Sequence, residues 1–150
     1  YIGDEIGMLN DYSYEQDPSK AGDSRWLHRP HFDWERAEQR RDAATVVGQI
    51  YQGILRLIQL RHQNPAFNHA SIEIAETGNK HVFGFFSSHD QYSVFVLANF
   101  SEQEQVLEAR RLRLLGLRKI MVDLFAGRTI TATQEIVLEP YQLLVLSRNQ

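Results

Sequence analysis

The sequence predicts a mixed fold, with half of a βα unit at the front and a small antiparallel β domain behind it. The first seven residues, "YIGDEIG", are typical of a buried strand that ends in a loop, and residues 43–62 carry the spacing of an amphipathic helix. From residue 66 the pattern changes to short β-branched and aromatic runs. A strand end and one helix need partner strands, so we expect the front of the chain to dock on elements outside this sequence.

The composition is that of a globular protein and argues against two classes of partner. Of 150 residues, 43% are hydrophobic, and the formal net charge of -3 predicts no basic face for nucleic acid. No apolar run approaches the roughly 20 residues that span a bilayer, so no membrane partner is expected. The chain has no cysteine, which excludes disulfides and fits a reducing, cytoplasmic location.

Residues 1–42 are polar and irregular, and this stretch is longer than a simple connection between two elements. Disordered segments are poor in aromatics, whereas this stretch interleaves aromatics with Asp, Arg and His. We therefore predict an ordered, functional loop. Its aromatics either stack on sugar faces or, in the favoured interpretation, form a small local core: Tyr12, Tyr14, Trp26, Phe32 and Trp34.

The helix that follows shows apolar residues at the i, i+3, i+4 spacing of one buried face. Asp42 or Thr45 is expected to cap its start, and the Asn-Pro pair at 64–65 ends it because the residue before proline avoids helical angles. Gly48 and Gly53 each cost about 1 kcal/mol relative to alanine, so we expect a neighbour to pack closely there. The predicted buried face is Val47, Ile50, Tyr51, Ile54 and Ile58.

Seven short runs in the rest of the chain favour an antiparallel sandwich or barrel. The run "YSVFVLANF" is almost continuously apolar, so we expect a central strand buried on both faces. The stretch "RRLRLLGLRK" is expected to hold a short helical turn. Phe83, Phe85 and Phe86 share one strand, and because alternation buries at least one side of it, we expect them in the core.

Asp4 and Glu5 are adjacent carboxylates at the front of the chain. Two acids can act on a glycosidic bond when they flank it at about 5–9 Å. Neighbours on an extended strand point to opposite faces, so these two cannot flank one bond. We interpret them as structural acids held by backbone groups or arginine.

His28, His31 and Asp33 have a loose metal-ligand character. Pro30 disfavours a helix that would align the two imidazoles, and nothing else in the sequence completes a tetrahedral set. We therefore expect no metal here, and we interpret these histidines as hydrogen-bonding groups of an ordered loop.

Arg25 and Arg29 lie on either side of Trp26. A guanidinium group offers five donors in a planar fork, which suits carboxylates and the vicinal hydroxyls of polar ligands. The residues alone leave two interpretations open: ligand binding, or an ion pair with Asp23 or Asp33.

Five basic residues cluster near the predicted helical turn. Glutamates lie nearby, and no recognition pattern accompanies the cluster, so a solvated face is favoured over a nucleic-acid patch. The five are Arg110, Arg111, Arg113, Arg118 and Lys119.

Several stretches carry a family resemblance: "YIGDEIGMLNDYSYEQDPSKAGDSRWLHRP", the helix "GQIYQGILRLIQLR" with "NPAF", and the strands "NKHVFGF", "LANFSE" and "EPYQLLVLS". Together they resemble the C-terminal part of amylosucrases, the sucrose-using branch of the α-amylase superfamily of glycoside hydrolases. The resemblance implies an α/β barrel remnant, the last βα unit of a TIM barrel, in residues 1–65. It implies a C-terminal antiparallel β-sandwich in residues 66–150.

The resemblance also implies a chemistry. Such enzymes cleave sucrose with retention through a covalent glucosyl-enzyme, release fructose and extend an α-1,4-glucan. The catalytic acids would lie on earlier barrel strands, so no catalytic residue and no cofactor are expected in this chain. Arg25 would bind the glucosyl unit and pair with an aspartate from an earlier loop. The implied partners are sucrose, α-glucan and the remainder of the barrel.

Two further functions remain open at this point. A close relative, such as a sucrose hydrolase or a trehalose synthase-type isomerase, would share much of this segment, although "RWLHRP" argues against the isomerase. A function of another class is a stand-alone carbohydrate-binding β-sandwich, which would need a surface platform of aromatic side chains.

Overall fold

The chain divides into a loop-rich unit, Tyr1–Ile58, and a β unit, Gln59–Gln150. The computed structural model describes residues 2–117, 120–131 and 135–147. The division falls inside a long helix, and the predicted domain boundary after residue 65 stays a prediction. The helices are α1 Trp34–Glu38, α2 Val46–Gln63 and α3 Ala109–Leu114; the strands are β1 Ser71–Ala75, β2 Val82–His89, β3 Tyr92–Asn99, β4 Gln105–Glu108, β5 Ile120–Asp123, β6 Arg128–Thr131, β7 Glu135–Leu138 and β8 Leu143–Ser147.

The described part of the opening stretch forms a tight turn rather than the end of a strand. Gly3 and Gly7 flank a 3₁₀ turn at Asp4–Ile6, with φ angles of 104° and 63° that glycine adopts without strain. Ile6 is buried in a small cluster with side chains of α1 and α2. The prediction of a strand end is therefore wrong for the residues of this stretch that the structure describes. Tyr1 lies outside the described residues. A TIM-barrel remnant is not shown.

Aspartate side chains organise the loop that follows this turn. Asp11, Asp17 and Asp23 each accept a hydrogen bond from the backbone N–H two residues further on, at 2.8, 2.9 and 3.0 Å. Such bonds replace the backbone pairing that regular structure would supply. The Asp11 N–H also donates to the Leu27 carbonyl at 2.9 Å, which ties two parts of the loop together.

Thr45 caps helix α2, as one of the two predicted candidates. The Gly48 N–H donates to Thr45 Oγ1 at 3.0 Å, while Asp42 instead accepts from the Ala44 N–H at 2.9 Å in the preceding turn. The prediction of one continuous buried face is wrong beyond the first turns of the helix. Ile54 and Ile58 are 36% and 47% exposed. The described residues thus cover the apolar side of α2 near its start and, near its end, pack on the half-buried Leu60.

The two glycines of α2 are expected to respond in opposite ways to alanine. A Cβ on Gly48 would overlap the backbone carbonyl of Asp42, whereas a Cβ on Gly53 would meet nothing within 4 Å. Alanine has the higher helix propensity by about 1 kcal/mol, so Gly53→Ala should raise the free energy of unfolding by about that amount. Gly48→Ala should lower it by about 1–3 kcal/mol despite the same gain in propensity. Urea denaturation of both variants measures the difference, and equal effects would contradict the close approach at Gly48.

The β unit contains two antiparallel sheets. Six strands pair in the order β1-β2-β3-β8-β5-β6, and β4 pairs with β7 in a separate ribbon. Strand β3 lies inside the larger sheet, between β2 and β8, and its residues 94–97 are buried. The prediction of a central strand buried on both faces is confirmed. Strand β6 has no counterpart in the prediction, because "RTIT" is short and lacks an apolar alternation.

Each face of the larger sheet contributes to a different core. On the inner face Phe95 and Leu97 pack with the β4-β7 ribbon and with Leu112 of α3. On the outer face Val94 and Val96 pack with the 3₁₀ turn Pro65–Phe67. This two-layer arrangement is that of a sandwich, in agreement with the predicted class.

The three phenylalanines of β2 are not all core residues. Phe86 stacks on Phe95 in the inner core, with ring centroids 4.4 Å apart. Phe83 lies on the outer face and is 45% exposed, with its ring 5.8 Å from that of Phe85. The expectation that Phe83 is buried is therefore wrong, because the turn Pro65–Phe67 covers only part of that face.

In the described residues no helix is long and apolar enough to cross a bilayer.

Candidate functional site

Arg25 lies at the start of a 3₁₀ turn, Ser24–His28, that Asp23 caps. Its guanidinium forms a bidentate ion pair with the carboxylate of Asp23: Nε donates to Oδ1 at 2.8 Å and Nη2 donates to Oδ2 at 2.7 Å. The Arg25 side chain is nevertheless 70% exposed. Of the two ion pairs considered from the sequence, the structure contains the one with Asp23, while Asp33 accepts from the Arg36 N–H at 2.8 Å and begins α1. Ligand binding by Arg25 stays a prediction.

Trp26 anchors the same turn through two cations. Lys20 Nζ lies 5.0 Å and Arg29 Cζ lies 5.8 Å from the centroid of its ring. Lys20 also pairs with Asp17 at 3.4 Å, so the indole links two of the aspartate turns. Trp26 therefore serves the local packing of the loop, which was the favoured interpretation of its aromatics. Trp34, by contrast, is 76% exposed and stands edge-on to Phe32.

The Arg25 side chain, followed by its backbone N–H, lowers the pKa of Asp23 from 3.8 to about 2. A carboxylate whose pKa is depressed on folding stabilises the folded loop above pH 3.8, and that contribution is lost as pH falls towards 2. Arg25→Ala is expected to return the pKa of Asp23 towards 3.8. A ¹³C NMR titration of the carboxyl groups measures this. Asp17 is the internal control, because Ser19 lowers its pKa and Arg25 does not contribute; an unchanged midpoint for Asp23 would refute the pairing.

A cleft of about 240 Å³ opens beside the first turn of the chain. His28 Nδ1 lies 3.0 Å from Asn10 Oδ1. Because an amide oxygen only accepts, His28 donates this hydrogen bond through Nδ1–H. Asp4 lies in the same cleft, so the structure unites a carboxylate and an imidazole that the sequence presents as unrelated. The lining residues are Ile2, Asp4, Met8, Leu9, Asn10, His28 and Pro30.

Glu5 does not share this cleft. Its Oε2 accepts from the Gly3 N–H at 2.9 Å, which is the structural role expected for it. Asp4 and Glu5 thus point to different surroundings and do not form a catalytic pair, although the reason is a 3₁₀ turn rather than an extended strand.

The other sequence-predicted clusters are dispersed. His31 is exposed, and the part of the chain that the structure describes contains no group of three or more potential metal ligands. Arg110 and Arg113 are exposed on α3 and Arg111 is partly buried, with its guanidinium near Gly78. Arg118 and Lys119 lie outside the described residues.

Solved structures share the fold of this chain, although no protein-family model matches its sequence. A maltogenic amylase from S. marinus matches 99% of the chain at 18% identity with a TM-score of 0.63, over 17% of its own length. A variant of AmyP in complex with maltotriose matches 69% at 17% identity with a TM-score of 0.57, over 21% of its length. A variant of MutB, the trehalulose synthase from Pseudomonas mesoacidophila, was solved with sucrose and matches 75% at 20% identity with a TM-score of 0.55, over 19% of its length.

These comparisons define a class of fold. The fold of this chain, with its antiparallel β unit and few helices, is also found in part of the maltogenic amylase. The chain spans between 17% and 21% of the length of these three structures.

Proposed function

We propose that this chain is the C-terminal portion of an amylosucrase-type glucosyltransferase, which makes α-1,4-glucan from sucrose by a retaining mechanism and releases fructose. The observation that carries the proposal is the "DSRWLHRP" motif, displayed on an ordered loop in a chain with an α-amylase-superfamily fold. The sucrose bound to a fold neighbour is consistent with the same substrate. A sucrose hydrolase is the alternative within this class.

Arg25 is the proposed substrate-binding residue. Asp23 holds its guanidinium in one orientation, and the side chain remains largely open to solvent. A planar fork fixed in this way suits the neighbouring hydroxyls of a glucosyl unit, because little conformational entropy is lost when the ligand binds. No residue of this chain is proposed as nucleophile or acid/base.

The remainder of a barrel is the proposed partner of α2. Ile54, Leu57 and Ile58 lie along one side of the helix and are 36%, 41% and 47% exposed. Apolar side chains at this spacing normally pack against another element. Their exposure therefore supports docking of this helix on further protein.

The test is sucrose turnover by two proteins: residues 1–150 alone and the same chain preceded by its native upstream sequence. We expect fructose and an insoluble α-glucan from the longer protein and neither from residues 1–150, since the acids are proposed to lie upstream. Equal amounts of free glucose and fructose would favour the hydrolase. Fructose release by residues 1–150 alone would overturn the assignment of the catalytic acids.

A stand-alone carbohydrate-binding platform at Phe83 is less well supported. Phe83 is exposed, and the patch around it is completed by aliphatic side chains. On the same face of β1, Ile72 and Ile74 are 55% and 64% exposed. A surface made of phenylalanine and isoleucine offers no polar groups to sugar hydroxyls. Such a patch favours packing against protein rather than sugar.

A further inference from the structure

A second cleft, of about 250 Å³, lies within the β unit where the end of α2 meets the start of β3. The end of α2 and the turn after it line one part of the cleft, and the start of β3 and the end of β8 line the rest. The residues that line it are Gln63, Asn64, Pro65, Tyr92, Ser93, Val94 and Ser147.

Polar contacts hold the residues around this cleft in place. Ser87, which is fully buried, donates from Oγ to the Ala66 carbonyl at 2.7 Å and so fixes the turn on the sheet. The Ala66 N–H donates to Asn64 Oδ1 at 3.0 Å, which orients the Asn64 amide and leaves Nδ2 as its donor. Across the strands, the hydroxyls of Ser88 and Ser93 lie 2.8 Å apart.

The chemistry of the lining selects one class of ligand. Among the described residues that line the cleft, none carries a charge, so an ionic ligand would find no counter-charge. A purely apolar ligand would bury amide and hydroxyl groups without partners, at a cost of about 1–3 kcal/mol each. A neutral molecule with many hydroxyls both donates and accepts, as amides and serines do.

The shape of the cleft narrows this class further. Tyr92, which is 41% exposed, contributes an aromatic ring to the lining, and the buried Val94 contributes apolar atoms. An aromatic ring beside apolar side-chain atoms suits a saturated ring of the ligand that carries C–H groups on one face. The volume lies below the roughly 300–1,000 Å³ of drug-sized ligand pockets, which indicates one ring rather than a long chain.

We propose that this cleft binds a single pyranose unit, with the Tyr92 ring stacked on its apolar face and the Gln63 and Asn64 amides bound to its hydroxyls. The inference does not depend on the proposed function, because it concerns binding by the β unit and requires no turnover. It names a saccharide contact that lies apart from Arg25 in sequence and belongs to the other structural unit.

The experiment is an ¹⁵N NMR titration of residues 1–150 with glucose, with maltose and with sorbitol. Glucose and maltose should shift the amide signals of residues 63–65 and 92–94. Sorbitol, which has hydroxyls but no ring, should leave them unchanged. Tyr92→Ala is expected to weaken maltose binding about tenfold. Gln63→Ala, at the exposed end of a helix, is expected to weaken it about fivefold and keeps the test valid if the tyrosine variant does not fold.

Two matched variants serve as controls: Tyr141→Ala, a tyrosine that is 65% exposed, and Gln59→Ala, one turn earlier on α2. Both should bind maltose as the parent chain does. Absence of shifts at residues 63–65 and 92–94, equal shifts with sorbitol, or binding that neither Tyr92→Ala nor Gln63→Ala weakens would overturn the inference. Shifts confined to residues around Arg25 would overturn it too, while supporting the proposed function.

Discussion

Replacing Arg25 by alanine is expected to reduce kcat/KM for sucrose by about 10²–10³-fold in the enzyme that this chain is proposed to complete. In the proposed site the guanidinium donates hydrogen bonds to the glucosyl unit, and the methyl group of alanine cannot replace them. The Asp23 carboxylate would also lose the guanidinium as its partner, and it would then accept hydrogen bonds from the sugar hydroxyls in place of Arg25. The measurement is initial-rate kinetics of fructose release, together with circular dichroism to establish that the variant is folded.

Two further arginine variants make this result specific. Arg25→Lys keeps the charge but loses the planar fork, so we expect activity between those of the parent and the alanine variant. Arg41→Ala removes an exposed arginine elsewhere in the same unit and should leave the kinetics unchanged. A folded Arg25→Ala enzyme with parental kinetics would remove Arg25 from the site.

Replacing Asn99 by aspartate is expected to destabilise the β unit by about 3–5 kcal/mol at neutral pH. Asn99 is 3% exposed, and its Nδ2 donates to the carbonyls of Gln103, Leu138 and Glu139 at 2.7, 3.3 and 2.9 Å. Its Oδ1 accepts from the N–H and the hydroxyl of Ser101. A carboxylate would place a negative charge against three carbonyl oxygens and would remove the amide donor that they share.

Urea denaturation followed by circular dichroism measures the effect on the free energy of unfolding. The matched control is Asn68→Asp, which introduces the same charge at an exposed position after the turn Pro65–Phe67 and should change stability by less than about 0.5 kcal/mol. Acidification should reduce the penalty of Asn99→Asp, because a protonated carboxyl regains one donor. Equal stabilities of the two variants would show that Asn99 does not hold the end of β3.

Local patterns were sufficient to predict most of the regular structure. The strands that correspond to β1–β3 and β8, the helix α2 and its Thr45 cap all follow from side-chain period and from one residue type at one position. These signals depend on residues close together in the sequence, so they can be recognised without knowing which elements pack together. One error, at the turn Asp4–Ile6, falls where glycine geometry decided the outcome. The others, at Phe83 and along α2, fall where coverage by the rest of the chain decided which side chains are buried.

The candidate sites were less accessible from the sequence. Residue types indicated Arg25 as a ligand-binding or ion-paired side chain, and the structure supplied the pairing with Asp23. No sequence spacing predicts that His28 and Asp4 share one cleft, or that Tyr92 and Gln63 share another, because these residues come together only through tertiary packing.

By itself the sequence determined that a long helix precedes an antiparallel β unit, and it excluded thiol chemistry because the chain has no cysteine. These properties follow from local side-chain patterns and from composition. Tertiary structure alone decided which apolar faces are covered, which acids pair, and where clefts form. Burial and electrostatic pairing depend on distances between residues far apart in the chain, and those distances exist only once the turns and sheets have brought the residues together.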